Sequence, residues 1–404
     1  MERDRSMSIA VVGTFDTKGE EHRFIMERIE ERGFKTVSIH VGTRYSSPFP
    51  VDLDMFLEIR KEDPKSLDNR DTAIEAVRSR TRERVRQMYE DGRIRGIISA
   101  GGGTGTHLGT SIMKVLPLGV PKVMLSTVAS KNMASAVGTK DITMIHSVVD
   151  ILGVNSISGM ILDRAAGAVC GMAESRWNSK GGKKRIGMTF FGFITEGAEH
   201  VKRCLETLGY EVIPFHANGT GGMAMEELAG DGYFDGLLDL ATHELADELK
   251  GGYCRGIGPD RLMPDDGKAI PRLVVPGGLD CAVLEFTRSS VPPEYENRRI
   301  FFYDFRSAVR LNQKETLFIA DQLSGKLNQH PDSVRLLIPL KGWSEADIEG
   351  GALFDPVMTS IFIERVRANL DSDIEIREID FHINEKEFAE IAAEMMHRMI
   401  RGRR

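Results

Sequence analysis

Six consecutive residues, Gly101 to Thr106 (GGGTGT), have the composition of a phosphate-binding loop. They follow a short apolar run, Gly96 to Ala100, and precede an apolar stretch that fits a helix. Glycines let backbone N–H groups converge on an anion, threonine hydroxyls add donors, and a helix N-terminus adds partial positive charge. We therefore predict anion binding by Gly101, Gly102, Gly103, Thr104, Gly105 and Thr106. The alternative is a tight strand-to-helix turn, which three glycines also permit.

A second polar group follows the first apolar run, Ser8 to Gly13. A carboxylate at this position could hold Mg²⁺, and an ammonium group could bind a phosphate. The residues predicted to bind the ligand are Gly13, Thr14, Asp16, Thr17 and Lys18, with Asp16 as the metal ligand. Helix capping is the structural alternative, with Thr17 as the N-cap of a capping box that Glu20 completes. For Thr17 the cap is the favoured role, and for Asp16 and Lys18 both interpretations stay open.

A third glycine-rich segment ends the apolar run Val212 to His216. Its predicted ligand-binding residues are Asn218, Gly219, Thr220 and Gly221. A second anion loop and an ordinary turn built on asparagine and glycine explain this composition equally well.

The segments around these loops alternate between short β-branched runs and helical spacing, which is typical of a parallel α/β sheet. The pattern occurs twice: Thr17 to His22 (TKGEEH) and Thr195 to His200 (TEGAEH) each follow an apolar run, and three more segment pairs follow in the same order. An ordered series of four pairs indicates two copies of one domain. We predict two tandem Rossmann-like α/β domains, residues 1–178 and 179–404, with mostly parallel sheets and an interdomain cleft. Ligands bind beyond the carboxyl ends of the strands in such sheets, where all three loops lie.

Composition restricts the class of partner. The chain has 404 residues, 28% of them charged, and a formal net charge of -7, which gives no overall attraction to nucleic acid or anionic lipid. Its four cysteines lie far apart, and no apolar run is long enough for a membrane span or a secretory signal. We expect a cytoplasmic protein, commonly a homo-oligomer, with a small anionic ligand or nucleotide and without nucleic-acid or membrane partners. Met7 is a candidate for the original start.

Seven segments between about Ser8 and Phe388 resemble a broadly distributed, uncharacterised family of bacteria, fungi and plants. They are VVGTFDTKGEEH, SAGGGTGT, VGTKDITM, FHANGTGGMAME, DLATHELADEL, PLKGWS and DFHINEKEFAE. Plant members of this family form the N-terminal part of the tomato mosaic virus resistance protein, and the family is described as ATP-binding. The resemblance implies a two-lobed Rossmann-like protein that binds ATP and that, in plants, inhibits viral replication by protein contact. It names no reaction.

The residues and the resemblance together favour a nucleotide-binding protein, with ATP and Mg²⁺ as the expected cofactors. Such a protein would act on, or be regulated by, a small anionic ligand in the cleft. Two alternatives stay open. One is an enzyme of a carboxylated or phosphorylated metabolite that uses no nucleotide, and the other is a non-catalytic protein-interaction module. Whether the chain catalyses a reaction is not decided by its sequence.

Overall fold

A computed structural model describes residues 7–177, 181–263 and 270–402. The chain divides into two compact units, residues 1–179 and 180–404. The predicted boundary between residues 178 and 179 lies outside the described residues, and the predicted cleft stays a prediction. No helix among the described residues has both the length and the apolar character needed to cross a membrane.

The first unit contains one sheet of six parallel strands flanked by helices. The strands are β1 (Ser8–Gly13), β2 (Lys35–His40), β3 (Leu53–Asp54), β4 (Ile94–Gly101), β5 (Lys122–Ser126) and β6 (Thr143–His146). The helices are α1 (Phe15–Glu31), α2 (Met55–Glu62), α3 (Arg70–Glu90), α4 (Gly103–Met113), α5 (Ala134–Val137) and α6 (Ser156–Glu174). The strand order is β3-β2-β1-β4-β5-β6, which is the order of a doubly wound dinucleotide-binding sheet.

Strand β1 shows why these residues form a central strand. Ala10 and Val12 belong to the apolar cluster on one face of the sheet, whereas Ile9 and Val11 belong to the cluster on the other face. All four side chains are fully buried. A strand covered by helices on both faces is apolar at every position, and this is the pattern expected for parallel sheets.

The second unit contains a six-stranded parallel sheet and a small antiparallel sheet. Its strands are β7 (Arg185–Phe190), β8 (Glu211–His216), β9 (Gly236–Ala241), β10 (Arg272–Gly277), β11 (Cys281–Leu284), β12 (Ile300–Phe302), β13 (Ser307–Arg310), β14 (Val334–Pro339) and β15 (Glu375–Ile379). Its helices are α7 (Thr195–Thr207), α8 (Gly221–Gly230), α9 (Glu244–Lys250), α10 (Gln313–Leu327), α11 (Pro356–Asn369) and α12 (Lys386–Arg401). The sheet orders are β15-β14-β10-β9-β7-β8 and β11-β13-β12.

The two units share the order of their central strands. The run β2-β1-β4-β5 in the first unit corresponds to the run β8-β7-β9-β10 in the second. The repeated hexapeptides TKGEEH and TEGAEH lie at equivalent places, on α1 directly after β1 and on α7 after β7. The predicted fold class, two tandem Rossmann-like α/β domains with mostly parallel sheets, is therefore confirmed.

Candidate functional site

The first unit has a cavity of about 360 Å³ at the carboxyl ends of β1 and β4. These strands are neighbours, and the chain continues from them in opposite directions across the sheet, so the cavity lies at the switch point where doubly wound sheets bind ligands. The lining residues are Thr14, Asp16, Thr17, Lys18, Thr43, Arg44, Arg70, Gly101, Gly102, Gly103, Thr104 and Gly105. Two segments predicted separately thus form one cavity.

Helix α4 directs its N-terminus at this cavity. Gly102 is its N-cap and supplies no side-chain capping bond, and the first bond of the helix runs from the Thr106 N–H to the Gly102 carbonyl at 2.8 Å. The N–H groups of Gly103, Thr104 and Gly105 precede this bond and have no partner inside the helix. Such unpaired N–H groups, together with the helix dipole, attract anions.

Two residues of these two predicted segments, Thr106 and Gly13, do not line the cavity. The Thr106 hydroxyl lies 2.6 Å from the Ser126 hydroxyl in the buried interior. Gly13 is buried beneath the loop, and a Cβ atom at this position would lie 2.1 Å from the His22 ring. Gly13 therefore permits close packing of a histidine rather than lining the cavity itself.

Cationic side chains dominate the lining. Lys18 is half-buried and donates a hydrogen bond from Nζ to the Ile151 carbonyl. Arg44 and Arg70 are exposed, and neither forms an ion pair within the described part of the chain. Asp16 is the only carboxylate among these lining residues, so the lining carries a net positive formal charge.

The Asp16 carboxyl group is held close to His40. A Cβ atom on Gly42 would lie 2.9 Å from Asp16 Cγ and 2.4 Å from His40 Cε1, so glycine is needed where these groups meet. Asp16 Oδ1 is buried and has no hydrogen-bond partner in the described part of the chain. Burial raises the pKa of Asp16 above its usual range, and the nearby His40 opposes that rise.

The predicted capping box at Thr17 is wrong. Helix α1 begins at Phe15, with Thr14 as its N-cap, and Lys18 has non-helical backbone angles inside it. The Thr17 hydroxyl donates to the Thr14 carbonyl and hydroxyl, at 3.2 and 3.0 Å. The helix starts earlier than predicted because the Thr14 carbonyl already accepts from the Lys18 N–H at 2.8 Å, and His40 Nδ1 accepts from the Phe15 N–H.

Two buried histidines position the loops, and sequence reasoning missed both. The Ala100 N–H donates to His22 Nε2 at 3.3 Å, so His22 Nδ1 carries the proton and donates to the Lys18 carbonyl at 2.7 Å. Burial lowers the pKa of His22 to about 4 and keeps its ring neutral. His22 therefore ties the loop after β1 to the end of β4.

His40 does the same for the loop after β2. The Phe15 N–H donates to His40 Nδ1 at 3.0 Å, which leaves Nε2 to donate to the Tyr45 carbonyl at 2.9 Å. His22 is the last residue of the segment TKGEEH, which follows β1, and His40 is the last residue of the segment KTVSIH, which forms β2. A histidine on an otherwise apolar face of a helix or strand was the feature of the sequence that could have identified both residues.

The third predicted loop, Asn218 to Gly221, lies in the second unit, and its backbone N–H groups are paired with other groups of the protein. Asn218 Oδ1 accepts from the N–H groups of Thr220 and Gly221, at 3.4 and 3.3 Å. The Gly219 N–H donates to the buried Glu244 carboxylate at 2.8 Å. Gly219 has φ of +90°, and this left-handed conformation favours glycine. These contacts supply a structural reason for the composition of the loop, and anion binding there stays a prediction.

Comparison with known proteins places both units in one group. A sequence pattern described as the N-terminal domain of uncharacterised protein family UPF0261 matches residues 7–178, and the C-terminal domain of the same family matches residues 183–400. A UPF0261 protein of Clostridium tetani is 37% identical over 402 residues, which cover 97% of this chain and 98% of that protein.

A plant relative is longer than this chain. The ToMV resistance protein Tm-1(GCR237) of Solanum lycopersicum is 33% identical over 427 residues, which cover 96% of this chain and 55% of that protein. Among solved structures, UDP-N-acetylglucosamine 2-epimerase from Rickettsia bellii aligns with 98% of this chain and 96% of that chain, at 10% identity and a TM-score of 0.23. That likeness is too low to bear on the site.

Proposed function

This chain belongs to the uncharacterised protein family UPF0261, and from that premise we propose that its first unit binds ATP or a similar nucleotide together with Mg²⁺. One observation carries the proposal. The uncapped N-terminus of α4 and three cationic side chains, Lys18, Arg44 and Arg70, line a single cavity at the switch point of a doubly wound sheet. This combination suits a polyanion, because backbone N–H groups and fixed positive charge both act on phosphate oxygens.

A second cavity favours a nucleotide over a small phosphorylated metabolite. It has a volume of about 450 Å³ and shares Thr43, Arg44 and Arg70 with the first cavity. Tyr45 and Phe56 belong to its lining, so it offers aromatic surface beside the cationic one. A ligand with a phosphate chain and a flat apolar base has the chemistry to occupy both cavities.

The residues present also fit a magnesium ion carried by the nucleotide. Mg²⁺ in nucleotide sites is commonly held by one or two carboxylates together with phosphate oxygens and water. Asp16 supplies a carboxylate whose buried Oδ1 has no other partner among the described residues. Its burial penalises an uncompensated negative charge, and a cation at this position would relieve that penalty. When bound, the ion would neutralise phosphate charge beside Asp16.

Gly103 offers a direct test of the phosphate site. A Cβ atom at Gly103 meets nothing within 4 Å, so Gly103→Val fits the fold and places its side chain at the N-terminus of α4. We expect isothermal titration calorimetry to show ATP affinity reduced about 10-fold or more, equivalent to about 1.4 kcal/mol or more. Gly171→Val is the matched control, because Gly171 lies in α6 and its Cβ also meets nothing within 4 Å. Equal affinity in the two variants would overturn the phosphate assignment.

Tyr45 tests the nucleoside part separately. Its side chain is 71% exposed, whereas its carbonyl is the group that His40 binds, so Tyr45→Ala leaves that hydrogen bond in place. Loss of a stacking ring should weaken ATP binding by about 1 kcal/mol and leave inorganic tripolyphosphate binding unchanged. Equal losses for both ligands would favour a site that recognises phosphate alone.

A further inference from the structure

The second unit has its own switch point, between β7 and β9. These strands are adjacent, with β8 beyond the first and β10 beyond the second. His243 follows β9 and is the N-cap residue of α9, and Asp247 lies one helical turn later. Residues four apart on a helix lie on the same face, so both side chains point to one side of α9. The place where this sheet would bind a ligand therefore carries an imidazole and a carboxylate together.

Within residues 7–177, 181–263 and 270–402, His243 lacks the hydrogen-bond partners that a buried histidine normally has. It is 1% exposed, and neither ring nitrogen has a hydrogen-bond partner in the described part of the chain. Its ring stacks on Phe191, with centroids 3.8 Å apart and an interplanar angle of 17°. Burying two polar atoms without partners costs free energy, and native proteins rarely accept this cost. Among the described residues nothing fills this role, so the ring nitrogens of His243 are free to bind a ligand.

Cys254 completes a set of three potential ligands. One nitrogen of His243, one oxygen of Asp247 and the sulfur of Cys254 all lie within 4.8 Å of one another, and all three residues are buried. Asp247 is held in place by the N–H groups of Cys254 and Val283, each at 2.7 Å. These bonds leave lone pairs on both carboxylate oxygens, as expected for a metal ligand that backbone groups orient.

We propose that His243, Asp247 and Cys254 bind a divalent transition-metal ion of the zinc type. Nitrogen, oxygen and sulfur ligands together suit Zn²⁺, at bond lengths of about 2.0–2.3 Å. Tetrahedral coordination at these lengths needs ligand atoms about 3.3–3.7 Å apart, so any pair of these atoms that lies near the upper limit of 4.8 Å must move closer when the ion binds. Binding displaces the thiol proton of Cys254 to solvent, and thiolate and carboxylate then balance the charge of the ion.

This site is independent of the proposed nucleotide site, because it lies in the second unit and shares no residue with the cavity of the first. Three protein ligands leave a fourth coordination position for water or another small ligand. The spacing His-x₃-Asp-x₆-Cys is visible in the sequence, from His243 to Cys254, but it matches none of the common metal motifs.

The test uses the full chain without an affinity tag, stripped of metal with a chelator. We expect about one Zn²⁺ to bind per chain in competition with a chromophoric chelator. Co²⁺ in place of Zn²⁺ should give a thiolate-to-cobalt charge-transfer band.

Cys254→Ser should abolish that band and weaken Zn²⁺ binding roughly 100-fold or more. Cys204→Ser, a half-buried cysteine of α7 in the same unit, is the matched control and should retain both. A wild-type chain that binds no Zn²⁺, or a Co²⁺ complex without a thiolate band, would overturn the proposal even if Cys254→Ser fails to fold.

His243→Phe separates a metal ligand from a structural histidine. Phenylalanine keeps the stack on Phe191 and removes both unpartnered nitrogens, so the metal-free melting temperature should rise. The increase in melting temperature that Zn²⁺ gives the wild-type chain should disappear. A lower melting temperature with an unchanged response to Zn²⁺ would overturn the role of His243. ATP binding should be the same in all these variants, so this test fails or succeeds independently of the nucleotide proposal.

Discussion

His22 Nε2 accepts a hydrogen bond from the Ala100 N–H at 3.3 Å, across 78 residues of sequence. The same ring holds the Lys18 carbonyl through Nδ1. One neutral imidazole therefore ties the segment after β1 to the end of β4, and both of these segments contribute to the lining of the cavity of the first unit. The bond requires an unprotonated Nε2, so the stability of this arrangement depends on pH.

The first prediction concerns that pH dependence. The pKa of His22 is lowered to about 4, while an unfolded histidine has a pKa of about 6.5. Between these values the unfolded chain binds a proton that the native chain does not, so stability is lost as the pH falls from 6.5 towards 4. The contribution of His22 is at most about 1.4 kcal/mol per pH unit.

Urea denaturation of the wild-type chain and of His22→Gln, at several pH values in that window, measures this contribution. The glutamine variant should be the less stable protein at pH 7, because it loses the ring that fills the space beside Gly13. The difference between the two proteins should shrink as the pH falls. If the difference in stability stays constant over this pH range, the pKa of His22 is the same in the native chain as in the unfolded chain, which contradicts the prediction.

Lys18 gives the second prediction. Its ammonium group has three donors, and the bond to the Ile151 carbonyl uses one of them, so two remain for a ligand in the cavity. A charged hydrogen bond to phosphate contributes about 1.5–3 kcal/mol, so Lys18→Ala should weaken ATP binding about 10- to 150-fold. Lys35→Ala, at the opposite end of the neighbouring strand, should have no effect on affinity. Lower thermal stability with unchanged ATP affinity would limit Lys18 to its structural bond with Ile151.

The third prediction concerns Asp16 and compares ATP binding in the presence and in the absence of Mg²⁺. Asp16→Asn keeps the shape of the side chain and removes the charge that attracts a cation. ATP affinity measured with Mg²⁺ should fall, whereas affinity measured with a chelator present should stay constant or rise. Because burial raises the pKa of Asp16, the neutral side chain should also leave the ligand-free protein at least as stable at pH 7. Equal losses of affinity with and without Mg²⁺ would contradict a metal-binding role.

Much of the fold could be predicted because each central strand is a continuous apolar run. The segment RIGMTF coincides with β7, and KTVSIHV exceeds β2 by one residue. The small antiparallel sheet of β11, β12 and β13 was missed, since its strands have only three or four residues and cannot be distinguished from loops by periodicity. Helix α6 was missed although Asn155 caps it with a capping box and its buried residues recur at helical spacing.

The candidate site was predictable only in part, for a physical reason. Glycine-rich loops at strand ends can be recognised from local sequence, and Gly101–Gly105 and Thr14–Lys18 do share one cavity. Arg44 and Arg70 were not found, because each comes from a loop whose place beside the cavity depends on how the strands are ordered. The roles of His22 and His40 likewise depend on backbone groups distant in sequence, Ala100 and Tyr45.

The last prediction concerns a buried ionic cluster in the second unit. Two guanidinium groups lie among three carboxylates, and every member is almost fully buried. The members are Glu226, Asp239, Glu244, Arg261 and Arg272. Arg261 pairs with all three carboxylates, at 2.9, 2.6 and 2.9 Å. Arg272 pairs with Glu226 and with Asp239, the latter at 3.0 Å.

Removing Arg261 should therefore be costly. Arg261→Met leaves the three buried carboxylates with Arg272 as the remaining guanidinium of this cluster, and breaking a buried ion pair on one side costs about 3–5 kcal/mol. Arg365→Met is the matched control, because Arg365 forms an exposed pair with Asp321 at 2.6 Å, and such pairs contribute about 0–1 kcal/mol. The measurement is tryptophan fluorescence during urea denaturation. Of the two tryptophans, Trp343 is buried in the second unit, whereas Trp177 is 89% exposed. Because unfolding changes the surroundings of Trp343 most, the fluorescence change follows the unfolding of the second unit. A loss of stability as small as that of Arg365→Met would mean that the carboxylates take up protons and need no guanidinium partner.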